Sequence, residues 1–162
     1  MRIEPANSGD LERLVAIEIG AFDPAIYTRM TPRQLRRHIG SGRAIFLVAR
    51  AESGEAIGYV LGFIKRNSRY VRLYSLAVDP RHQGGRVGAG LFPALEEAAR
   101  RGGYQGVQLE IREDNSKLLE RYLRLGYKQY QAVADYYPDG AGCIKLKIDL
   151  RPASTAGAPG AG

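Results

Sequence analysis

Apolar positions along this chain follow two different periods, and the switches between them mark out its elements. Arg2 to Ala6 reads as a short edge strand. Behind it, Asn7, Ser8 and Asp10 offer caps for a helix that carries Leu11, Leu14, Val15 and Ile19 at helical spacing. Thr31-Pro32-Arg33-Gln34 opens a second helix: Thr31 caps, Pro32 suits the first helical position, Gln34 completes a capping box, and Leu35 and Ile39 form the apolar side. Phe22 to Met30, between these helices, has no regular period and reads as a loop placed to shape an entrance. The pattern then turns strand-like. Ala44 to Ala49 and Ala56 to Ile64 are apolar, β-rich runs joined across Glu52-Ser53-Gly54-Glu55, which predicts a hairpin. A third strand is expected over Tyr70 to Val78, ending at Asp79-Pro80. After a loop rich in Gly and Arg, Leu91, Leu95, Ala98 and Ala99 predict a helix from about Gly88 to Arg101, stopped by Gly102-Gly103. Strand Gly106–Arg112, helix Ser116–Leu125, strand Tyr127–Val133 and strand Cys143–Leu150 complete the order. Such an order predicts an α/β chain whose mixed sheet carries helices on its faces.

Length and composition narrow this picture. With 162 residues, 44% of them hydrophobic, the chain suits one domain, expected over residues 1–150, and the small residues of 151–162 read as a disordered tail. No apolar run approaches the roughly 20 residues of a membrane helix. The first residues, Met1-Arg2-Ile3-Glu4, lack a basic stretch followed by an apolar one, so a cytoplasmic location is expected. The single cysteine, Cys143, excludes an internal disulfide and reads as core packing; together with the two histidines, His38 and His82, it implies no metal site. His82 reads as a solvated or phosphate-contacting loop residue and His38 as a surface residue of its helix. A net charge of +7 favours anionic partners, which a phosphate-bearing ligand would satisfy as well as nucleic acid. Neither an RNP signature nor a basic-aromatic stripe supports the second.

The candidate chemistry begins at Leu76-Ala-Val-Asp-Pro-Arg-His-Gln-Gly-Gly-Arg-Val-Gly-Ala-Gly90, a strand, a glycine-rich turn and a helix start. Unpaired N–H groups at a helix N-terminus attract anions, and glycines let a phosphate approach them. Arg81 and Arg86 are placed to add charged donors. A tight strand-to-helix connection is the plainer reading of the same residues. Glycines at 85, 88 and 90 run G-x-x-G-x-G, the reverse of the dinucleotide fingerprint, and no Gly-Lys-Ser/Thr follows to make a P-loop.

This turn resembles the pyrophosphate-binding Q/R-x-x-G-x-G/A stretch of the GCN5-related (GNAT) N-acetyltransferases, with Gln83 and Gly88 in the outer positions and Arg86 where that pattern has glycine. A second block, Leu109-Glu-Ile-Arg-Glu-Asp-Asn115, then Leu119-Glu-Arg-Tyr122, then Leu125-Gly-Tyr127, is similar to the L-E-V-R-x-x-N…A-x-x-L-Y-x-x-x-G-F pattern of the ribosomal-protein alanine and peptide N-terminal branch. Asp135-Tyr-Tyr-Pro-Asp-Gly140 looks like that branch's Tyr-Tyr loop, with Ala141-Gly142 in place of the acidic pair that often follows. The resemblance implies a mostly antiparallel twisted sheet of six or seven strands and an enzyme that moves an acetyl group from acetyl-CoA to a primary amine. That amine belongs to a peptide or protein N-terminus or to a small molecule, and the attack is direct, within a ternary complex. It further implies that Leu76, Ala77 and Val78 splay from the neighbouring strand and offer backbone groups to the cofactor. Gln83, Gly84, Gly85, Arg86, Val87, Gly88 and Ala89 would hold its pyrophosphate, and Asn115 its pantetheine arm. Phe22, Tyr27, Tyr136 and Tyr137 would line the acceptor site of a monomer or homodimer. A non-catalytic acyl-CoA-binding module is the alternative.

Chemistry gives these residues tasks. An amine with a pKa of about 8 (α-amine) or about 10 (lysine) must lose a proton before it attacks a thioester. Glu110 is the carboxylate placed to accept it, although the same residue also reads as a solvated partner of Arg112. Tyr122 has a phenol to offer a departing thiolate, or is an ordinary core tyrosine. Asn115 also reads as the cap of the helix that follows it.

Overall fold

The computed structural model describes residues 1–152; apart from Arg151 and Pro152, the tail expected to be disordered lies outside the described residues. Among the described residues seven strands, β1 (Arg2–Pro5), β2 (Ala44–Arg50), β3 (Ala56–Ile64), β4 (Tyr70–Val78), β5 (Gly106–Arg112), β6 (Lys128–Val133) and β7 (Cys143–Asp149), form one sheet in the order β1-β2-β3-β4-β5-β7-β6. Every neighbouring pair is antiparallel except β4 and β5, which run parallel. The helices are α1 (Leu11–Ala21), α2 (Pro32–His38), α3 (Arg86–Arg101) and α4 (Ser116–Arg124).

The expected elements form with boundaries moved by one or two residues, and the start of α1 shows a local cause. Ser8–Asp10 is a 3-10 turn and not the first turn of α1: Asn7 and Asp10 close a capping box, and the Asp10 carboxylate is held by both Arg50 guanidinium nitrogens at 2.7 and 2.9 Å. On α1 the buried stripe is Leu14, Ile17 and Glu18, while Ile19, expected on the apolar side, is exposed. Thr31 and Gln34 make the expected capping box of α2. His38, expected on the surface, instead packs its ring 4.8 Å from that of Phe63. Cys143 is buried as expected.

The sheet separates two apolar layers. On one face α3 and α4 cover Val60, Val71, Val107, Leu109 and Leu146; on the other α1 and α2 cover Phe46, Val48, Tyr59 and Leu61. Gly58 and Gly62 bring α3 close to β3: a Cβ on Gly58 would stand 2.8 Å from Val87 Cγ1, and one on Gly62 2.9 Å from Leu95 Cδ1. A β-bulge interrupts β4, because Leu61 pairs with Ser75 and Gly62 with Leu73, leaving Tyr74 without a partner. Val71 and Leu73 before the bulge pack on the α3 layer, as do Leu76 and Val78 after it, whereas Ala77 belongs to the α1 layer.

Candidate active site

The parallel strands β4 and β5 stay paired for three residues only, Tyr70 with Gly106, Val71 with Val107 and Arg72 with Gln108. Beyond Arg72 the bulge at Tyr74 turns β4 away while β5 continues along β7, and the strands part. A cleft of about 550 Å³ fills the gap. Among residues singled out from sequence, it is lined by Phe22, Tyr27, Leu76, Glu110, Tyr122, Tyr136 and Tyr137. Five separate stretches of chain thus meet at one opening.

Glu110 points from β5 with its side chain 16% exposed. Its Oε1 accepts from Arg72 at 2.9 Å and from the Tyr136 hydroxyl at 2.5 Å, while Oε2 has Lys145 Nζ at 3.5 Å. The expected alternative partner, Arg112, is engaged elsewhere: it binds Asp114 and, through two bonds of 3.0 and 2.7 Å, Asp139. Donation to Glu110 raises the Tyr136 hydroxyl to about 12, because losing its proton would set a phenolate against a carboxylate.

Tyr122 reaches the cleft from α4, its ring packed edge-on against Phe92 and Tyr127 at 5.2 and 5.3 Å. Burial raises its hydroxyl to about 12, so the phenol keeps its proton throughout the physiological range. Asn115 does not line the cleft; its Oδ1 caps α4 by accepting from Leu118 N at 3.1 Å.

The glycine-rich turn carries a different kind of site. Gly84 takes the left-handed conformation with φ of 81°, and Gly85 is the N-cap of α3. Arg86 is then the first residue of the helix, so the position where a glycine was expected needs no positive φ. Gly85 has no side chain to cap with, and the first N–H groups of α3, from Arg86 to Ala89, have no carbonyl within the helix to bind. A Cβ on Gly84 would meet nothing within 4 Å, and one on Gly85 or Gly88 nothing closer than 3.7 Å. The space before the helix is therefore open down to the backbone, and its donors fit a pyrophosphate. Two side chains depart from expectation. Gln83 turns back to donate to the Val78 carbonyl at 3.0 Å, fastening the turn to β4. Arg81 is held by the buried Asp79 carboxylate at 2.8 Å, and Asp79, also bound by Arg13, lies well below the usual carboxylate range because of these partners.

Sequence reasoning missed several residues in or beside the cleft. Arg72, which lines it, and Lys145, which reaches Glu110 from outside it, come from β4 and β7, and only strand pairing brings them to Glu110. Glu18, on the buried face of α1, accepts from Met30 N at 2.7 Å and from the Tyr59 hydroxyl, which also bonds Ser75 Oγ at 2.9 Å. A glutamate between Ile17 and Ile19 in an apolar stripe is the one signal that marked it. The loop from 134 to 142 is pinned by Arg112 to Asp139, with the Arg112 guanidinium 5.2 Å from the Tyr137 ring centre. Tyr137 meets Tyr27 edge-on at 6.3 Å, which joins this loop to the one after α1.

A sheet opened between parallel strands, with a bare helix N-terminus beyond one of them and a carboxylate on the other, has room and donors for a phosphate-bearing ligand beside a candidate base. The chain belongs to the acetyltransferase (GNAT) family, whose model matches residues 11–127. It is 30% identical over 124 residues to an N-alpha-acetyltransferase of Sulfurisphaera tokodaii, covering 70% of this chain and 74% of that one. It is 26% identical over 144 residues to a mycothiol acetyltransferase of Propionibacterium freudenreichii subsp. shermanii, covering 85% of this chain but only 46% of that longer protein. The ribosomal-protein-S18-alanine N-acetyltransferase of Escherichia coli has the same fold, with a TM-score of 0.80 at 21% identity over 94% of this chain and 95% of that one. The protein is accordingly an N-acetyltransferase, and no described helix is long and apolar enough to cross a membrane.

Proposed function

We propose that this enzyme acetylates the primary amine of a peptide or protein N-terminus, or of a small molecule carrying a comparable amine, with Glu110 as proton acceptor and Tyr122 as proton donor. The observation that carries the reading is the meeting of Glu110, Tyr122 and the aromatic residues Phe22, Tyr27, Tyr136 and Tyr137 around one cleft at the parting of β4 and β5. Acetyl-CoA, when bound, supplies a thioester carbonyl and a thiolate leaving group. The N–H groups at the start of α3 and the Arg86 side chain hold its pyrophosphate, and Leu76 faces the cleft where the strands part. Glu110 takes the proton of the incoming ammonium at Oε2, the oxygen with the sparser set of partners, directly or through one water. Arg72 and Lys145 fix the carboxylate in place. Tyr122, protonated at neutral pH, gives its phenolic proton to the departing sulfur. The aromatic walls exclude water and orient the acceptor. Similarity to an N-alpha-acetyltransferase supports the N-terminal acceptor, and similarity to a mycothiol acetyltransferase supports keeping a small-molecule amine in view.

The test is CoA release measured over N-terminal peptides, lysine peptides, polyamines and amino acids. Turnover of α-amines in preference to lysine side chains is expected. Saturable acetyl-CoA binding with no CoA release on any acceptor would replace this reading with a binding module.

A further inference from the structure

Glu110 is a wall between two cavities. Behind the cleft lies a second, smaller one of about 180 Å³, sharing Arg72, Leu109, Glu110 and Tyr136 with the first. Its own lining adds Lys65, Gln108, Tyr130 and Lys145. Three cations therefore surround a space with a single carboxylate. Arg72 and Lys145 both lean on that carboxylate, whereas Lys65 is exposed and has no acidic partner within ion-pair distance among the described residues. Gln108 Oε1 accepts from the Tyr130 hydroxyl at 3.4 Å, which leaves its NH₂ free to donate. Lys147 lies over the rings of Tyr70 and Tyr130 at 5.4 and 5.2 Å, adding positive charge on the same strand two residues from Lys145. The excess of positive charge asks for an anion, and Glu110 on the wall selects which one, since its repulsion of a dianion is twice that of a monoanion.

We propose that this second cavity is an acceptor subsite for a carboxylate, so that the preferred substrates carry an acidic group close to the amine that is acetylated. The inference rests on the acceptor reading above. Two sources would present the same chemistry: an Asp or Glu side chain within the first two residues of a peptide, or the carboxyl group of a free amino acid.

Calorimetric titration separates them, using C-terminally amidated tetrapeptides that differ only by Glu or Gln at the first or second position, and L-alanine against L-alaninamide. The Glu peptides should bind roughly two- to fivefold more tightly than their Gln twins at low salt, as for a partly screened ion pair, and the advantage should shrink toward unity at about 0.5 M salt. Lys65→Glu should remove most of the advantage and leave Gln-peptide affinity unchanged. An advantage confined to alanine over alaninamide would assign the subsite to a free amino acid's carboxyl group. Equal affinities within all pairs, or an advantage untouched by both Lys65→Glu and high salt, would overturn the proposal. CoA release on the same compounds keeps it apart from the acceptor reading. Selective binding without turnover supports the subsite and sinks acetyl transfer to these amines, whereas turnover of Glu and Gln peptides with equal kcat/KM does the reverse.

Discussion

The turn before α3 and the tyrosine loop between β6 and β7 achieve order by opposite means. At the turn, the groups proposed to hold the cofactor are mainly backbone N–H donors, and glycines keep the approach clear: Gly85 cannot cap, Gln83 folds back on β4, and Arg81 is held by Asp79. In the loop, side chains carry the order. Arg112 grips Asp139, Tyr136 donates to Glu110, and Tyr137 leans on Tyr27. A backbone site suits a ligand part that is the same in every turnover, because a helix N-terminus offers phosphate the same donors whatever the acceptor. A side-chain site suits the part that distinguishes one enzyme from its relatives, because any of its residues can change without disturbing a strand.

If this division holds, variants in the two regions should affect different constants. The largest effect is expected from Glu110→Gln, which keeps size and polarity but accepts no proton: turnover should fall by roughly 10²- to 10⁴-fold while acetyl-CoA affinity, read by titration, stays the same. Raising the pH should partly restore this variant, more for an α-amine acceptor than for lysine, because the less basic amine is deprotonated first. Near-normal turnover at neutral pH would end the base assignment. Tyr122→Phe should lower turnover by about 10²-fold with no such rescue. In the proposed role the phenol acts only while protonated, and burial pushes it up to about 12, so the wild-type rate should show no alkaline decline attributable to Tyr122 below about pH 11; near-normal turnover in Tyr122→Phe would remove it from the mechanism.

Gly84→Val tests the other region. A β-branched residue forced to φ of 81° costs roughly 1–2 kcal/mol. The melting temperature should drop by a few degrees and acetyl-CoA affinity by about tenfold, while kcat at saturating cofactor is retained. A change in acceptor KM alone would break the comparison. The smallest effect is expected from Arg112→Ala or Asp139→Asn, which free the tyrosine loop at a partly exposed ion pair: acceptor KM should rise severalfold, acetyl-CoA affinity should not move, and high salt should reproduce part of the change in the wild type.

The same contrast explains what the sequence made legible. Helix α2, the β2–β3 hairpin and the turn before α3 are local. Thr31 and Gln34, the run from Ala44 to Ile64, and Gly84-Gly85 each announce their structure within a few residues. The motif spacing from Glu110 through Asn115 to Tyr122 was likewise readable. The partners of Glu110 were not, because Arg72 and Lys145 lie 38 and 35 positions away and meet it only through the parallel step from β4 to β5 and the antiparallel return of β7. Alternation predicted a regular β4 and gave no sign of a bulge at Tyr74. Helical spacing put Ile19 inside, where the structure buries Ile17 and Glu18, since Glu18 has Met30 N and the Tyr59 hydroxyl to satisfy it.

The unpaired Tyr74 makes β4 a strand whose count matters more than its composition. The odd-numbered residues Val71 and Leu73 precede it and the even-numbered Leu76 and Val78 follow, all on one layer, so the bulge works as a one-residue phase shift in a reading frame of two. Any side chain at 74 leaves that frame intact, and a conservative or even a crude substitution there should fold. Removing the residue would put the downstream half out of step, turning Leu76 and Val78 toward the layer of Ala77 and closing the opening in the sheet. Length, at this single position, is the inherited information.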